Sequence, residues 1–247
     1  KISNELRQFY LILMYQKKEY LYFSSEIKAI HAAGIKKKPN EEIWASYFVY
    51  GSYGMPDETF WEEIHQLPGG HYLELKNMTL SITKWYVFEE EVKKFDEIIP
   101  FNDVKEKYAA LLKNSIELRF RADVSVGFNI SGGLDSSIVA TVASRELSSL
   151  DTFTIEFEDI DDPYHGKANE SLAARETSKF IGSNHHNVPV TSKDFRSSLK
   201  DFVKYGDLPF SVSSGLGIMA ISKAARNKGI KVLLTGDGAD ECFGGYS

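Results

Sequence analysis

Ser131, Gly132, Gly133, Asp135, Ser136 and Ser137 stand together in the run FNISGGLDSS (128–137), and their types and spacing suit the handling of phosphate. Two glycines without side chains let the main chain approach a ligand closely. Asp135 and the two serines after it fall in the expected first turn of a helix. Backbone N–H groups there lack intrahelical partners and the helix dipole is positive, which favours an anion. The spacing is not the Walker pattern, because no lysine follows the second glycine. Something else must then neutralise phosphate charge. A divalent cation held by carboxylates is the natural substitute, since Mg²⁺ takes a few carboxylates together with substrate phosphate oxygens. Asp135 lies in the cradle itself. Asp237, Asp240 and Glu241, in LLTGDGADECFGG (233–245), can supply the second carboxylate. Each motif alone has a plainer reading, Asp135 as a helix cap and the Gly-Asp-Gly run as a tight turn with an acidic rim. Both lie at expected strand ends, and together they point to a phosphate site with a carboxylate-held cation.

The elements that position these residues follow from periodicity. Val124, Val126, Phe128 and Ile130 alternate like a strand, and Ile138, Val139, Val142 and Leu147 recur at helical spacing behind Asp135. A helix is expected from a cap at Asn102 or Asp103 to about Leu118, with Val104, Tyr108, Leu111, Leu112 and Ile116 on one face. Strands and helices then alternate: strand 124–130, helix from 135, strand 152–157, helix 169–180, strand 186–190, helices 193–205 and 215–227, strand 231–234. Such alternation predicts an α/β fold, a parallel sheet with helices on both faces. Ligands bind beyond the carboxyl ends of such strands, so the Ser-Gly-Gly and Thr-Gly-Asp-Gly turns can share one crevice. The first third reads differently. Residues 9–30 suggest two strands around a polar turn at 16–19 and the start of a helix; 41–50 suggest a helix, and 71–75 and 80–86 further strands. Its aromatics are expected to pack the edge of a β-rich domain rather than to stack on a ligand. The charged run 89–96 before Pro100 marks a linker, giving domains over 1–88 and 102–247 with residues 89–101 between them.

Composition bounds the partners. The chain has 247 residues, 43% of them hydrophobic, and a formal charge of −6, which argues against nucleic acid and against an anionic membrane surface. One cysteine, Cys242, excludes an intramolecular disulfide framework, suits a reducing compartment and reads as a small buried residue. No run has the length of a membrane span and the start lacks a signal-peptide pattern, so cytoplasm is the expected location. The six histidines have no ligand-like spacing; His185 and His186 open a strand, and His165 with the acidic loop 158–162 reads as a solvated loop that could otherwise gate the crevice.

SGGLDSS followed by TGDGADECFGGY (235–246) resembles the synthetase domain of the glutamine-dependent asparagine synthetase family. YLYFSSEIKAI (20–30), YFVYGSYGMPDETFWEEIHQLPGGHYLEL (47–75) and the Trp85-Tyr86 pair resemble the last part of its class II glutaminase domain, of the Ntn type. The resemblance implies an adenine-nucleotide α-hydrolase-like (ATP-pyrophosphatase) domain preceded by a β-rich glutaminase remnant. It implies a ligase of asparagine and amino-acid biosynthesis: ATP and Mg²⁺ bind, a substrate carboxylate such as aspartate attacks the α-phosphate, pyrophosphate leaves, and glutamine-derived ammonia converts the acyl-adenylate to an amide. Carried over, Ser131, Gly132, Gly133, Ser136 and Ser137 hold pyrophosphate, and Asp135 and Asp240 hold Mg²⁺. Ile130 and the Thr154-Ile155 backbone border adenine, Gly236 closes over the nucleotide, and Asp237 faces the intermediate or the amine, making Asp237 and Asp135 the catalytic pair. A homodimer is left open. Departures exist. The family commonly has Glu at Asp237, and asparagine synthetases usually have a second acid at Leu208, which leaves the acceptor open between aspartate and another carboxylate, as in β-lactam-forming or sugar and peptide relatives. A non-catalytic nucleotide-binding module is the rival of another class. The family's glutaminase cysteine and its catalytic lysine fall outside 1–247, so a fragment is expected.

Overall fold

The computed structural model describes residues 2–3, 13–17, 20–77, 79–94, 99–158, 170–209 and 214–244. They fall into two compact units, 1–98 with 205–211, and 99–204 with 212–247.

The first unit carries β1 (Ile2–Ser3), β2 (Leu13–Lys17), β3 (Tyr20–Ser24), α1 (Ile27–Ala32), α2 (Glu41–Tyr50), β4 (His65–Gln66), β5 (His71–Lys76), β6 (Thr79–Lys84) and α3 (Phe88–Lys93). Among the described residues they build two small antiparallel sheets, ordered β1-β5-β6 and β3-β2-β4. Leu13, Tyr15, Ile27, Ile30 and Ile64 form one buried cluster. Local signals explain α2 well: the Asn40 side chain accepts from Ile43 N–H, Glu41 and Glu42 favour the positive end, and Gly51 ends the helix at φ 70°. The aromatics pack, as expected: Trp44, Tyr47 and Tyr53 surround the buried Phe60, with ring centroids 4.8, 5.5 and 5.7 Å from it. The charged run expected as linker begins as a helix instead, α3. Glu89, Glu90 and Glu91 all fall in its first turn, where the dipole favours them, and it buries no residue.

The second unit carries α4 (Phe101–Arg119), β7 (Val126–Asn129), α5 (Leu134–Glu146), β8 (Asp151–Phe157), α6 (Ser171–Ile181), β9 (Asn184–Val190), α7 (Ser192–Gly206, its last two residues in the first unit), α8 (Ser214–Asn227), β10 (Val232–Leu234) and α9 (Ala239–Phe243). The strands form a parallel sheet ordered β10-β7-β8-β9. Ile130 packs with Ala140 of α5 and Ala174 of α6, whereas Phe153 packs with Ile221 and Ala225 of α8. Helices thus cover both faces, as the alternation of elements predicts. One expectation fails on α4. Its N-cap is Pro100, with no side-chain bond from Asn102 or Asp103, and of the predicted apolar face only Ile116 is buried while Val104, Tyr108 and Leu111 are exposed. Proline fits here because its fixed φ suits a helix start. No described helix is long and apolar enough to cross a membrane. Of the acidic loop at 158–162, read as solvated with a gate as the alternative, residues 159–162 lie outside the described residues, as does His165.

Candidate functional site

The chain winds outward from β7 in opposite directions, through β8 and β9 on one side and to β10 on the other, so the strand order reverses between β7 and β10. Open parallel sheets bind ligands at such a reversal, beyond the carboxyl ends of the strands. Ser131-Gly132-Gly133 follows β7 and Thr235-Gly236-Asp237-Gly238 follows β10, so both motifs leave neighbouring strands at that place.

The two turns touch. A Cβ built on Gly236 would lie 2.5 Å from Ser136 N, 2.9 Å from Asp135 C and 3.0 Å from Asp135 Cβ, so only glycine allows the second turn to lie against the first turn of α5. A cavity of about 350 Å³ opens beside the contact, lined by Asp135, Thr235, Gly236, Asp237 and Cys242, with Tyr108 and Leu112 of α4 among its apolar walls. Asp135 and Asp237 are therefore brought to one cavity. Asp135 is not the helix cap; that position is Gly133, and Asp135 stands within the first turn. Asp237 accepts a 2.7 Å bond from the Thr235 hydroxyl, which fixes its carboxylate on the turn. Asp240 occupies the first turn of α9, partly buried. Cys242 corrects an expectation: it is exposed, because α9 is a five-residue helix that buries nothing and turns this residue to the cavity.

Inside the cradle the hydroxyls hold the loop. Ser136 is buried; its Oγ accepts from Ser131 N–H at 3.1 Å, lies 2.9 Å from Ser131 Oγ and donates toward the Ser131 and Gly133 carbonyls. Ser137 Oγ donates to Gly133 O at 2.8 Å, and Gly133 N–H donates to Ser131 Oγ at 3.2 Å. Gly132 N–H donates to a carboxylate, Glu170 Oε2, at 3.1 Å, and a Cβ on Gly132 would stand 2.8 Å from Ala173 Cβ. The amide thus already serves an anion, the chemistry its loop suits. Glu170 escapes sequence reasoning; its one signal is an acid at the start of the helix expected over 169–180. Ile130 is fully buried, its carbonyl accepting from the Thr154 hydroxyl, and Ile155 packs on the α8 side against Gly217. The Ile130, Thr154 and Ile155 side chains are thus committed to the interior.

Beside the cradle a polar network crosses β8, β9 and α6. Arg175 pairs with Glu156 at 2.9 Å, Asn187 donates to Glu156 at 3.0 Å, and His186 meets Asp151 at 2.8 Å. His185 bonds the Thr152 hydroxyl at 3.0 Å, and burial pushes its pKa below the usual imidazole value. Both histidines are thus structural, as expected. For a cation, the donor set fits Mg²⁺ in kind: hard carboxylates beside a phosphate-type loop. Among the described residues no three His, Cys, Asp or Glu gather to hold a metal, so the protein would supply only part of the shell, as Mg²⁺ accepts when phosphate oxygens complete it.

Residues 107–247 match the asparagine synthase family, and residues 9–86 match a glutamine amidotransferase domain. Among curated proteins, Amidase chry2 of Gibberella zeae is 29% identical over 92% of this chain and 35% of its own length. Amidase chyE of Penicillium rubens is 27% identical over 92% of the chain and 34% of its own length. A putative glutamine-hydrolysing asparagine synthetase of Methanocaldococcus jannaschii is 33% identical over 91% of the chain and 42% of its own length. The chain thus spans less than half the length of each of these three relatives.

Proposed function

The chain belongs to the asparagine synthase family, and from that premise we propose that it is part of an ATP-dependent amidotransferase, a ligase that adenylates a carboxylate, releases pyrophosphate and forms an amide with glutamine-derived ammonia. The observation that carries this reading is the contact of the two motif turns at the strand-order reversal, Gly236 against the Asp135-Ser136 backbone. In this reading the amides of Gly132 and Gly133 and the hydroxyls of Ser131 and Ser137 bind the leaving pyrophosphate, while Ser136 keeps the loop in shape from inside. Glu170 has to give up the Gly132 amide when phosphate arrives. The backbone at Ile130, Thr154 and Ile155 borders adenine and Gly236 closes over the nucleotide. Asp135 and Asp240 would hold Mg²⁺, whose role is to neutralise the charge that builds on the phosphates. Asp237 is aimed by Thr235 into the same cavity, where it faces the activated acyl group or the amine. Catalysis of this kind is positioning and charge stabilisation rather than covalent work by the protein.

Aspartate is the first acceptor to test, in line with the asparagine synthetase name of the archaeal relative. A different carboxylate is the second reading, favoured by two relatives named as amidases and by Leu208, which packs its side chain on the core of the first unit. Exchange of labelled pyrophosphate into ATP by the complete protein decides between them. Exchange with L-aspartate supports asparagine formation and exchange with another acid supports the second reading. ATP binding without exchange for any acid would leave a nucleotide-binding module and sink the proposal.

A further inference from the structure

The amides of the Ser131-Gly132-Gly133 turn are not satisfied alike. Ser131 N–H donates to Ser136 Oγ at 3.1 Å and Gly133 N–H to Ser131 Oγ at 3.2 Å, both neutral acceptors from within the motif. Gly132 N–H donates instead to an anion from another element, Glu170 Oε2, at 3.1 Å. Glu170 occupies the N-cap position of α6, yet its side chain makes no capping bond to its own helix and reaches to the loop. The start of α6 is fitted to this contact. A Cβ on Gly132 would stand 2.8 Å from Ala173 Cβ, 3.0 Å from Glu170 Cβ and 3.3 Å from the Glu170 carbonyl oxygen, so glycine is what lets the helix come this close. Further along, Ala174 is buried with Ile130 and Ala140, and the Ser137 and Thr177 hydroxyls stand 3.5 Å apart. The backbone of α6 is therefore held against the cradle, whereas the Glu170 side chain is exposed. Leaving the amide requires only that this side chain rotate into water. The buried Ser136 hydroxyl, tied also to two carbonyls, has no such freedom.

We propose that Glu170 is an internal competitor of pyrophosphate: it holds the Gly132 amide while the cradle is empty, yields it to a phosphate oxygen, and takes it back when pyrophosphate leaves. Competition lowers the affinity of the cradle in proportion to the fraction of molecules in which the amide is taken, and so limits inhibition by product. It also keeps the amide paired in the empty protein, where an unmet donor would favour rearrangement of the turn. That the anion is pyrophosphate rests on the proposed function; the competition for the amide does not.

Removing the carboxylate separates this role from a structural one by sign. Loss of a latch that shapes the loop would weaken anion binding, whereas loss of a competitor strengthens it. Isothermal titration of inorganic pyrophosphate, with Mg²⁺ present, into the complete protein should therefore show roughly fivefold tighter binding for Glu170→Ala, the scale of one exposed charge contact. Glu170→Gln keeps the length and an acceptor oxygen without the charge, and should fall between the alanine variant and the unaltered protein. Glu176→Gln removes an exposed charge from the same helix and should leave the affinity unchanged. Unchanged or weaker binding by Glu170→Ala would overturn the proposal. An equal gain from Glu176→Gln would do so too, since it would assign the effect to charge at a distance. Should the unaltered protein bind no pyrophosphate, binding by Glu170→Ala would support the competition and silence in both would overturn it. Failure to exchange pyrophosphate into ATP with every acid would count against the proposed function, and the titration would still judge the competition.

Discussion

Gly236→Ala isolates the contact on which the site is built. The added methyl would meet Ser136 N at 2.5 Å and Asp135 C at 2.9 Å, both backbone atoms, whereas tolerable contacts begin near 3.4 Å. Neither partner is the loose end of a side chain, so one turn must retreat by several tenths of an ångström. The Ser136 side of the contact resists, because its hydroxyl is tied to Ser131 N–H and to two carbonyls within the loop. Overpacking of this kind costs about 1–3 kcal/mol, and backbone on both sides argues for the upper half, about 2–3 kcal/mol. If the strain is carried in the folded protein, the melting temperature falls by roughly 4–10 °C for a domain of this size. If the turns separate instead, the strain is relieved at the expense of the site, and Mg²⁺-ATP affinity falls by about 30-fold or more. Calorimetric melting and isothermal titration measure the two branches, and their sum should approach the steric cost. An alanine variant with unchanged melting and unchanged affinity would refute the idea that the two turns form one binding surface.

Three other outcomes follow. Asp135→Asn should reduce pyrophosphate exchange by about 3 kcal/mol, roughly 150-fold, with little change in melting, since the carboxylate carries no part of the loop's hydrogen bonding; unchanged exchange would remove Asp135 from the cation site. Ser136→Ala leaves Ser131 N–H without its partner and should cost about 1–2 kcal/mol in urea unfolding, whereas Ser137→Ala removes a bond one turn back to the Gly133 carbonyl and a long 3.5 Å contact with the Thr177 hydroxyl, leaves no backbone amide unpaired, and should lower ATP affinity more than stability. Equal stability losses in both would contradict the division of labour between the serines. His185 has a depressed pKa in the folded protein because burial disfavours its charge, so the unfolded chain binds the proton first. Its contribution to stability is full above the unfolded pKa near 6.5 and is lost as pH falls below that value. Urea midpoints at pH 7.5 and 5.5 should therefore differ more for the native sequence than for His185→Gln, and an equal pH dependence would assign the effect elsewhere.

What could be read from the sequence follows the range of the forces involved. Strand periodicity around Phe128, helical spacing behind Asp135 and the alternation of elements are local, and the structure returns them within a residue or two. That both glycine turns follow strands was legible for the same reason. That the two strands are neighbours was not, because strand order is set by packing and no pattern in either strand names its partner. The misjudged face of α4 has a related cause: Val104, Tyr108 and Leu111 recur at helical spacing, but spacing gives a face and not what covers it. Cys242 was misplaced because a small apolar residue in a five-residue helix has no core to enter.

Asp207 and Glu170 mark the limit of local reading from the other side. Each is an ordinary acid in a polar stretch, and each acquires its role by giving a carboxylate to backbone amides that local sequence leaves unsatisfied, those of Ile27 and Lys28 in one case and of Gly132 in the other. An unsatisfied donor can be deduced from sequence: a helix start without a cap at Glu26, and a glycine turn in which the Gly132 amide finds no acceptor among its neighbouring side chains. Its partner cannot, when Ile27 and Asp207 stand 180 positions apart in the chain. The productive question for such a chain is therefore which amides lack an acceptor nearby. In the first unit the answer is the start of α1, supplied by the α7–α8 connection; in the second it is the cradle, whose Gly132 amide donates to a carboxylate and, in the proposed reaction, exchanges it for phosphate.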